Sequence, residues 1–524
     1  MERRRSWGCS GTAWWPWGNG RSLPDPKERS GHRQNQRATA REHLHARLGK
    51  AQGAGKANAT LAQPVVTSAG GPWVTRHKHR RSQKTGQTSP DLLPVPLMCH
   101  RAEHLPKVAL PTRFAQKKGV LLRALLGAAW HRPGPAVAEY QRAYERLFPA
   151  SRAFAFWKGR VALHVVLKAM GLGAGDEVIL PGYTCSMVPG AVIYTGARPV
   201  YVDIREDDYN LDPDLLDQAC SAATKALIVQ HTYGFAADMD RIMNWAEARG
   251  LPIIEDCCHA LGCQYHGRSL GTFGVAAFFS SQWNKHYTSG IGGVLIVNQP
   301  ALAERVEEVC NRELLSPGRR QAWMLAAQML AHHLLVYPRT LLLAQGVFRW
   351  LTARGLVIGS ASAAEFLTRR PEDYLMGMSD VQARVGLCEL ARLGRNLAHR
   401  RRMSRLYRGE LGGPGGDGFD QPLVRYPLRV HEREKFLAEA ARAWLEVGTW
   451  FECPLHPVET DHQAFGYRPG SCPVAERVAR QMVNLPVHPR VSRRDAQRAV
   501  AFARKHGLIR PHGGAGDSSG DAVG

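Results

Sequence analysis

Short apolar runs alternate with longer amphipathic stretches between residues 158 and 298. The runs are rich in β-branched residues and end at polar turns, so they predict strands: Glu177–Leu180, Pro199–Ile204, Ala226–Gln230, Pro252–Asp256, Ala276–Ser280 and Val294–Asn298. The stretches between them predict helices: Val161–Met170, Ser186–Tyr194, Pro213–Ala222 and Met239–Arg249. Such alternation is typical of βαβ units, so the chain is predicted to have an α/β fold around a mostly parallel sheet.

A more apolar, helical pattern follows from residue 301 to residue 377. Trp323–Leu335 and Leu341–Val357 predict two packed helices, with a break at Tyr337-Pro338. Histidines and arginines interrupt both helices before the roughly 18–20 apolar residues of a membrane span are reached. Arginines flank the apolar stretches, so contact with a membrane surface is kept as an alternative.

The rest of the chain predicts a smaller C-terminal domain of helices and strands. A long amphipathic helix runs through Arg400-Arg401-Arg402, and a strand lies near Leu423–Val430, before a final helix that starts after Ser492. The predicted organisation has five segments: an aperiodic extension at 1–110, a large domain at 111–300, the helical apolar insertion at 301–377, the small α+β domain at 378–510 and a Gly/Ser/Asp-rich tail at 511–524.

Positive charge is concentrated in the first segment. The formal net charge is +24, and residues 1–110 contain 19 Lys and Arg against 6 Asp and Glu. Their composition and lack of periodicity predict disorder. We interpret them as an unfolded extension or as the product of an upstream start, with Met98 as the initiator. A basic regulatory or nucleic-acid-binding arm is the alternative, because its tryptophans could stack on bases.

The cysteine pattern and the first residues indicate the compartment. Eleven cysteines are scattered without paired spacing, which argues against a disulfide framework or a zinc site and predicts free thiols. The first segment lacks the features of a secretory signal or a transit peptide. We therefore predict a cytoplasmic protein that holds no metal.

A lysine and an aspartate at strand ends carry the predicted chemistry. Lys285 follows the strand Ala276–Ser280, and Asp256 ends an earlier strand. Ligands of parallel sheets bind beyond these ends. Schiff-base chemistry on pyridoxal phosphate needs such a lysine, which also moves protons, and it needs a carboxylate that keeps the ring nitrogen protonated.

The other parts of that cofactor also find candidate residues. The amides of Gly159 and Arg160 open a predicted helix and suit a phosphate, together with the Ser280 hydroxyl. His259, three residues after Asp256, is a candidate for the phenolic oxygen of the ring or for the substrate.

A set of motifs in fixed order resembles the DegT/DnrJ-type sugar aminotransferase family over about residues 150–507, with an unusual stretch at 315–370. The motifs are Gly175–Pro181, Gly196–Ile204, His231–Gly234 with Ala237–Asp240, Ile254–Gly262, Gly292–Asn298, Met378–Ala383, Pro473–Arg477 and Asn484–Pro489.

The resemblance implies a fold type I aspartate aminotransferase-like architecture and a homodimer whose active sites lie at the subunit interface. It assigns Lys285 to the aldehyde of pyridoxal 5′-phosphate, Asp256 to the ring nitrogen and His259 to the ring oxygen. It assigns Ser280, Gly159 and Arg160 to the phosphate. Some members carry histidine in place of the lysine and remove a hydroxyl group, and Lys285 argues against that branch.

Three positions depart from the family pattern. Cys185 stands where members place an aromatic ring over the cofactor, so either Cys185 serves there or Tyr183 compensates. Leu375 replaces an asparagine that reaches the neighbouring subunit's site. Lys158-Gly159-Arg160 replaces a Ser-Gly-Thr phosphate loop.

The sequence therefore predicts a pyridoxal phosphate-dependent aminotransferase. The expected reaction moves an amino group from glutamate to a nucleotide-linked keto sugar in surface-glycan or secondary-metabolite synthesis. One alternative keeps the cofactor and changes the substrate to an amino acid or to a lipid-linked sugar presented at a membrane. The other is the basic regulatory or nucleic-acid-binding protein described above.

Overall fold

The structure is a computed structural model that describes residues 135–335, 357–414 and 419–509, together with residues 347, 350, 351 and 354. The predicted extension at 1–110, the tail at 511–524 and most of the predicted helix Leu341–Val357 lie outside the described residues. None of the helices in the described part combines the length and the apolarity needed to span a bilayer.

A seven-stranded sheet forms the centre of the larger part of the chain. Its strands are β1 (Arg152–Phe156), β2 (Glu177–Pro181), β4 (Arg198–Val202), β5 (Thr224–Gln230), β6 (Ile253–Asp256), β9 (Ala276–Ser280) and β10 (Gly293–Val297). They lie in the order β1-β10-β9-β6-β5-β2-β4. Strands β4, β2, β5, β6 and β9 are parallel, and β10 is antiparallel to both of its neighbours. The predicted α/β fold is confirmed.

Helices cover both faces of this sheet. They are α1 (Pro135–Leu147), α2 (Gly159–Ala169), α3 (Met187–Ile193), α4 (Leu216–Ala219), α5 (Met239–Glu247) and α6 (Pro300–Glu313). The next helix, α7 (Arg319–Leu335), packs in a separate cluster with Trp157 and Ile291. Alternate strand residues point to opposite faces: Ile228 packs in the cluster with α2, α3 and α6, whereas Leu227 and Val229 pack in the cluster with α4 and α5. The core is thus two apolar layers with the sheet between them.

A smaller group of elements follows in the chain. It comprises α8 (Asp380–Leu390), α9 (Leu393–Leu411), β11 (Tyr426–Val430), α10 (Arg433–Arg442), β12 (Leu455–His456), α11 (Pro473–Gln481), β13 (Met482–Leu485), α12 (Arg493–Lys505) and β14 (Leu508–Ile509). β11 is antiparallel to both β13 and β14. β12 pairs instead with β3 (Thr184–Cys185), so Cys185 lies opposite His456. The remaining two strands, β7 (Gln264–Tyr265) and β8 (Arg268–Ser269), form a short antiparallel pair after β6 in the chain. The predicted domain boundaries stay predictions.

Two glycines let the start of α2 lie directly on the sheet. A Cβ atom on Gly293 would overlap the backbone of Gly159, and a Cβ on Gly159 would lie 3.4 Å from Cβ of Ser280. The first turn of α2 is therefore held beside the ends of β9 and β10. This contact positions the helix start at the edge of the sheet where β6 and β9 also end.

Replacing Gly293 with alanine tests this contact. The added methyl group forces α2 away from β10, so we expect Gly293→Ala to lower the free energy of unfolding by about 1–3 kcal/mol, as overpacking of a tight core does. Chemical denaturation measures the change. Gly173→Ala is the control, because its Cβ would lie 3.9 Å from the nearest atom. Equal stability of the two variants would contradict the close approach.

Candidate active site

Asp256 and Ser280 lie at the same edge of the sheet, because they are the last residues of the parallel neighbours β6 and β9. Asp256 is buried, and its Oδ1 accepts a hydrogen bond from the amide of Cys258 at 2.9 Å. Burial raises the pKa of Asp256, although the Cys258 amide and the charge of Lys285 oppose that shift. A buried carboxyl group of this kind suits a cationic N–H partner such as a protonated ring nitrogen.

A hydrogen-bond network fixes the end of β6 from behind. The carboxylate of Glu255 accepts from the amides of Gly271, Phe273 and Gly274 at 2.7–2.8 Å, and it lies 3.2 Å from Nε2 of His231. Within the described residues, His231, Glu255 and Cys257 are the group close enough together to hold a metal ion. Nδ1 of His231 accepts from the Ala237 amide, so its Nε2 carries the proton that it donates to Glu255, and neither ring nitrogen has a free lone pair for a metal ion. The network therefore has a structural explanation.

Lys285 lies in the loop that follows β9. Burial lowers the pKa of its amine, while Cys258, Asp256 and Cys185 oppose that shift. A lowered pKa increases the fraction of neutral amine, which is the nucleophilic form. Nζ of Lys285 lies 4.6 Å from the ring centroid of Trp450, a residue that the sequence did not single out.

Arg400 on α9 holds the loop that carries Lys285. Its guanidinium is buried and donates to the Lys285 carbonyl at 2.9 Å, to the carbonyls of Leu423 and Val424 at 3.2 and 2.9 Å, and to Oδ1 of Asn396 at 2.9 Å. Burial lowers the pKa of Arg400 to about 9. Because all these acceptors are uncharged, Arg400 acts as a positioning residue for the loop.

The period of α9 could have revealed this role. Its buried positions include Leu393, Leu397, Arg400, Ser404 and Tyr407, a spacing of three and four residues. Arg400 therefore lies on the face that points inward, whereas Arg402 is exposed.

His259 is buried between aromatic rings. Its ring is stacked on Trp450 with centroids 5.3 Å apart, and its Nδ1 accepts from the Tyr233 amide at 3.3 Å. That bond places the ring proton of a neutral histidine on Nε2, which is then a donor. Burial, reinforced by the charge of Lys285, lowers the pKa of His259 well below its ordinary value. A neutral ring with an Nε2 donor suits the phenolic oxygen of the cofactor.

The start of α2 offers the expected phosphate donors. The first turn of a helix leaves its amides without intrahelical acceptors, so those of Gly159 and Arg160 are available beside Ser280. The guanidinium of Arg160 does not point to such a ligand, because it pairs with Glu365. Lys158 adds a charge at this end: burial and the charge of Arg160 lower its pKa to about 8, while Glu365 and Asp373 oppose the shift.

Two departures from the family pattern have clear places in the structure. Tyr183 is fully buried, and its hydroxyl bonds with Tyr233 and the Phe451 carbonyl at 3.0 Å, so it cannot cover a cofactor. Cys185 is half-buried within electrostatic range of Lys285 and Asp256, and burial raises the pKa of its thiol. Leu375 packs in the core beside α2. Cys185 therefore remains the residue predicted to face the cofactor.

Comparisons with known proteins agree with this geometry. The model of the DegT/DnrJ/EryC1/StrS aminotransferase family matches residues 115–332 and 352–503. The chain belongs to this family. The match leaves out 333–351, which lie within the stretch 315–370 that the sequence marks as unusual. The family and the geometry together identify a pyridoxal phosphate-dependent aminotransferase.

Individual relatives are similar over different lengths. The spore coat polysaccharide biosynthesis protein SpsC of Bacillus subtilis is 28% identical over 72% of this chain and 91% of its own length. The L-glutamine:2-deoxy-scyllo-inosose aminotransferase of Streptomyces kanamyceticus is 38% identical, but over 38% of this chain and 49% of the relative. The crystal structure of DesV from S. venezuelae covers 75% of this chain and 94% of its own, with 26% identity and a TM-score of 0.58. The fold is that of fold type I aminotransferases.

Replacing Arg400 tests its role in positioning Lys285. Arg400→Met leaves several buried carbonyls without donors, so we expect the free energy of unfolding to fall by about 1–3 kcal/mol for each of them. The predicted bond between pyridoxal phosphate and Lys285 would depend on the position of this lysine, whereas pyridoxamine phosphate would bind without such a bond. We therefore expect the variant to lose more affinity for the first compound than for the second, measured by spectral titration. Arg402→Met is the control at an exposed position of the same helix. If Arg400→Met loses the same affinity for both compounds, Arg400 stabilises the fold without positioning Lys285.

The charge of Lys158 predicts a pH dependence of phosphate binding. The amine is protonated below its pKa of about 8 and neutral above it. We expect affinity for pyridoxamine phosphate to fall about tenfold between about pH 7 and about pH 9, a loss between the Coulomb limits for water and a protein surface. Lys158→Arg stays charged and should flatten the profile, and Lys158→Met should bind weakly at both pH values. An unchanged profile in Lys158→Met would refute the assignment.

Proposed function

We propose that this enzyme transfers an amino group from glutamate to a nucleotide-linked keto sugar. The observation that carries the proposal is Lys285 beside the buried Asp256, at the strand ends of a sugar aminotransferase fold. Two relatives that match most of this chain support a sugar substrate. One is SpsC, and the other is the GDP-perosamine synthase of Caulobacter vibrioides, 28% identical over 70% of this chain and 89% of its own length.

The residues have distinct proposed roles in this reaction. Bound pyridoxal phosphate supplies an aldehyde that accepts amino groups and a ring that accepts electrons. The amine of Lys285 removes the proton from the α-carbon of glutamate and later delivers one to the sugar carbon. Asp256 keeps a proton on the ring nitrogen, and His259 donates from Nε2 to the ring oxygen. The amides of Gly159 and Arg160, with Ser280, would hold the phosphate, and Cys185 would contact the ring.

A second candidate is an unlinked cyclic ketone with glutamine as the amino donor. The 38% identity with the 2-deoxy-scyllo-inosose aminotransferase favours it, although that alignment covers about half of the relative. The two candidates differ in whether the acceptor carries a nucleotide. An amino acid or a lipid-linked acceptor stays an untested prediction, as does nucleic-acid binding, which rests on residues 1–110.

The assembly and the location are also proposed. We propose a homodimer in the cytoplasm, in which a second copy of the chain completes the site. Leu375 stands in place of the asparagine that, in the family pattern, reaches the neighbouring subunit's site. Because Leu375 packs in the core of its own subunit, we propose that the interface side of this site differs from that pattern.

A substrate panel with a lysine variant tests the proposal. Purified enzyme is assayed with glutamate or glutamine as the amino donor. The acceptors are nucleotide-linked keto sugars and the unlinked cyclic ketone 2-deoxy-scyllo-inosose. We expect turnover with glutamate and a nucleotide-linked sugar. Lys285→Ala should lower turnover by about 100- to 10,000-fold or more, since it removes the proton-transferring group. Lys435→Ala, on the surface of α10, is the control. Full turnover by Lys285→Ala would refute the mechanism, and turnover of the unlinked cyclic ketone alone would favour the second candidate.

A further inference from the structure

Arg425 directly precedes β11 and faces the same ring as Lys285. Its Cζ lies 4.8 Å from the ring centroid of Trp450, and Nζ of Lys285 lies 4.6 Å from that centroid. The two cationic groups are therefore separated by no more than the sum of these distances. The charge of Arg425 also contributes to the lowered pKa values of both His259 and Lys285, which burial chiefly causes.

Arg400 donates to four oxygen atoms, whereas none of the hydrogen bonds among the described residues involves the guanidinium of Arg425. The side chain is half-buried, and its Nε is shielded from solvent and has no hydrogen-bond partner among the residues that the structure describes. In the described part of the chain its guanidinium forms no ion pair, and Glu446, which acts on it at longer range, binds Nε2 of His488 at 3.0 Å instead. A buried N–H group without an acceptor costs about 1–3 kcal/mol. A ligand that accepts hydrogen bonds would remove this cost.

The surrounding backbone holds Arg425 and Trp450 in place. Gly448 and Asn484 exchange two backbone hydrogen bonds of 2.8 and 2.9 Å, and Oδ1 of Asn484 accepts from the Trp450 amide at 2.8 Å. A Cβ atom on Gly448 would collide with the guanidinium of Arg425. Glycine at this position therefore allows the guanidinium to lie against the chain, beside the ring that Lys285 also faces.

The chemistry of this arrangement fits a carboxylate. A guanidinium binds a carboxylate through two parallel hydrogen bonds, and an arginine stacked on an aromatic ring is held in one plane. In an α-amino acid the nitrogen and the carboxyl carbon are only about 2.5 Å apart, so a substrate amine near Lys285 places its carboxylate within reach of a nearby cation. A carboxylate on the acceptor sugar would have the same chemistry.

We propose that Arg425 and Trp450 form a carboxylate-binding site that orients the substrate beside Lys285. This inference rests on the proposed aminotransferase reaction and assigns a specificity-determining residue to it. The carboxylate comes from the amino donor or from an acidic acceptor sugar, and the two half-reactions distinguish these sources.

Binding of succinate to the holoenzyme provides the first test. Succinate is a dicarboxylate without an amino group, so its binding does not require transfer chemistry. We expect Arg425→Gln to weaken its binding about 10- to 100-fold, the range for hydrogen bonds to a charged group. Arg425→Lys should recover part of the loss because it keeps the charge and lacks the fork. Arg429→Gln is the matched control, since Arg429 lies four residues further along and pairs with Glu206.

The half-reactions provide the second test and identify the source. In the absence of any sugar, the absorbance of the cofactor reports the transfer of the amino group from glutamate to the cofactor. Transfer of the amino group from the cofactor to the keto sugar is measured in a separate reaction. A loss confined to the first step in Arg425→Gln assigns the site to the donor, and a loss confined to the second assigns it to an acidic acceptor. On the wild type, comparing glutamate and glutamine with γ-aminobutyrate, which lacks the α-carboxylate, tests the donor assignment without any variant.

The outcomes separate this inference from the proposed function. If Arg425→Gln retains its cofactor and its melting temperature, and also binds succinate and completes both half-reactions like the wild type, the carboxylate site is refuted while the aminotransferase reaction stands. If the wild type accepts no amino group from any donor, the proposed function fails and this inference fails with it.

Discussion

The hydrogen bond between the buried guanidinium of Arg400 and the carbonyl of Lys285 ties α9 to the loop that carries the predicted cofactor lysine. The same side chain donates to Leu423 and Val424, just before β11, so one residue links the loop after β9 to the C-terminal elements. A guanidinium that has lost its hydration is stable only while such acceptors remain in place. The position of the predicted cofactor lysine thus depends on how α9 packs.

Desolvated positive charge gives the site its chemical character. Burial lowers the pKa values of Lys285, Arg400 and Arg425, and it raises that of Asp256. Burial destabilises a cation that has no anion beside it. The site therefore favours anionic ligands, whose negative charge stabilises the buried cations. The phosphate of the cofactor and a substrate carboxylate are ligands of this kind. Two other acids are engaged elsewhere, since Glu365 pairs with Arg160 and Glu446 binds His488.

The fold was largely predictable because its strands are local signals. Six predicted strands agree with the structure to within two residues at each end, since apolar β-branched runs bounded by turns leave few alternatives. β1 was missed because its sequence, Arg-Ala-Phe-Ala-Phe, contains no β-branched residue. The predicted helix Pro213–Ala222 is shortened to a 3₁₀ turn followed by α4. The reversed direction of β10 depends on pairing with distant strands, which periodicity does not encode.

The sequence by itself determined the fold class and the residues at the strand ends, including Lys285 and Asp256, because these follow from local pattern and from the rule that parallel strands end at one edge. Only the tertiary structure decided which of the other candidates face the site. It buried Tyr183, paired Arg160 with Glu365 and left Nε of Arg425 without a hydrogen-bond acceptor among the described residues. The Lys285 carbonyl and Arg400 are 115 residues apart, so side-chain packing, rather than any local motif, brings them together.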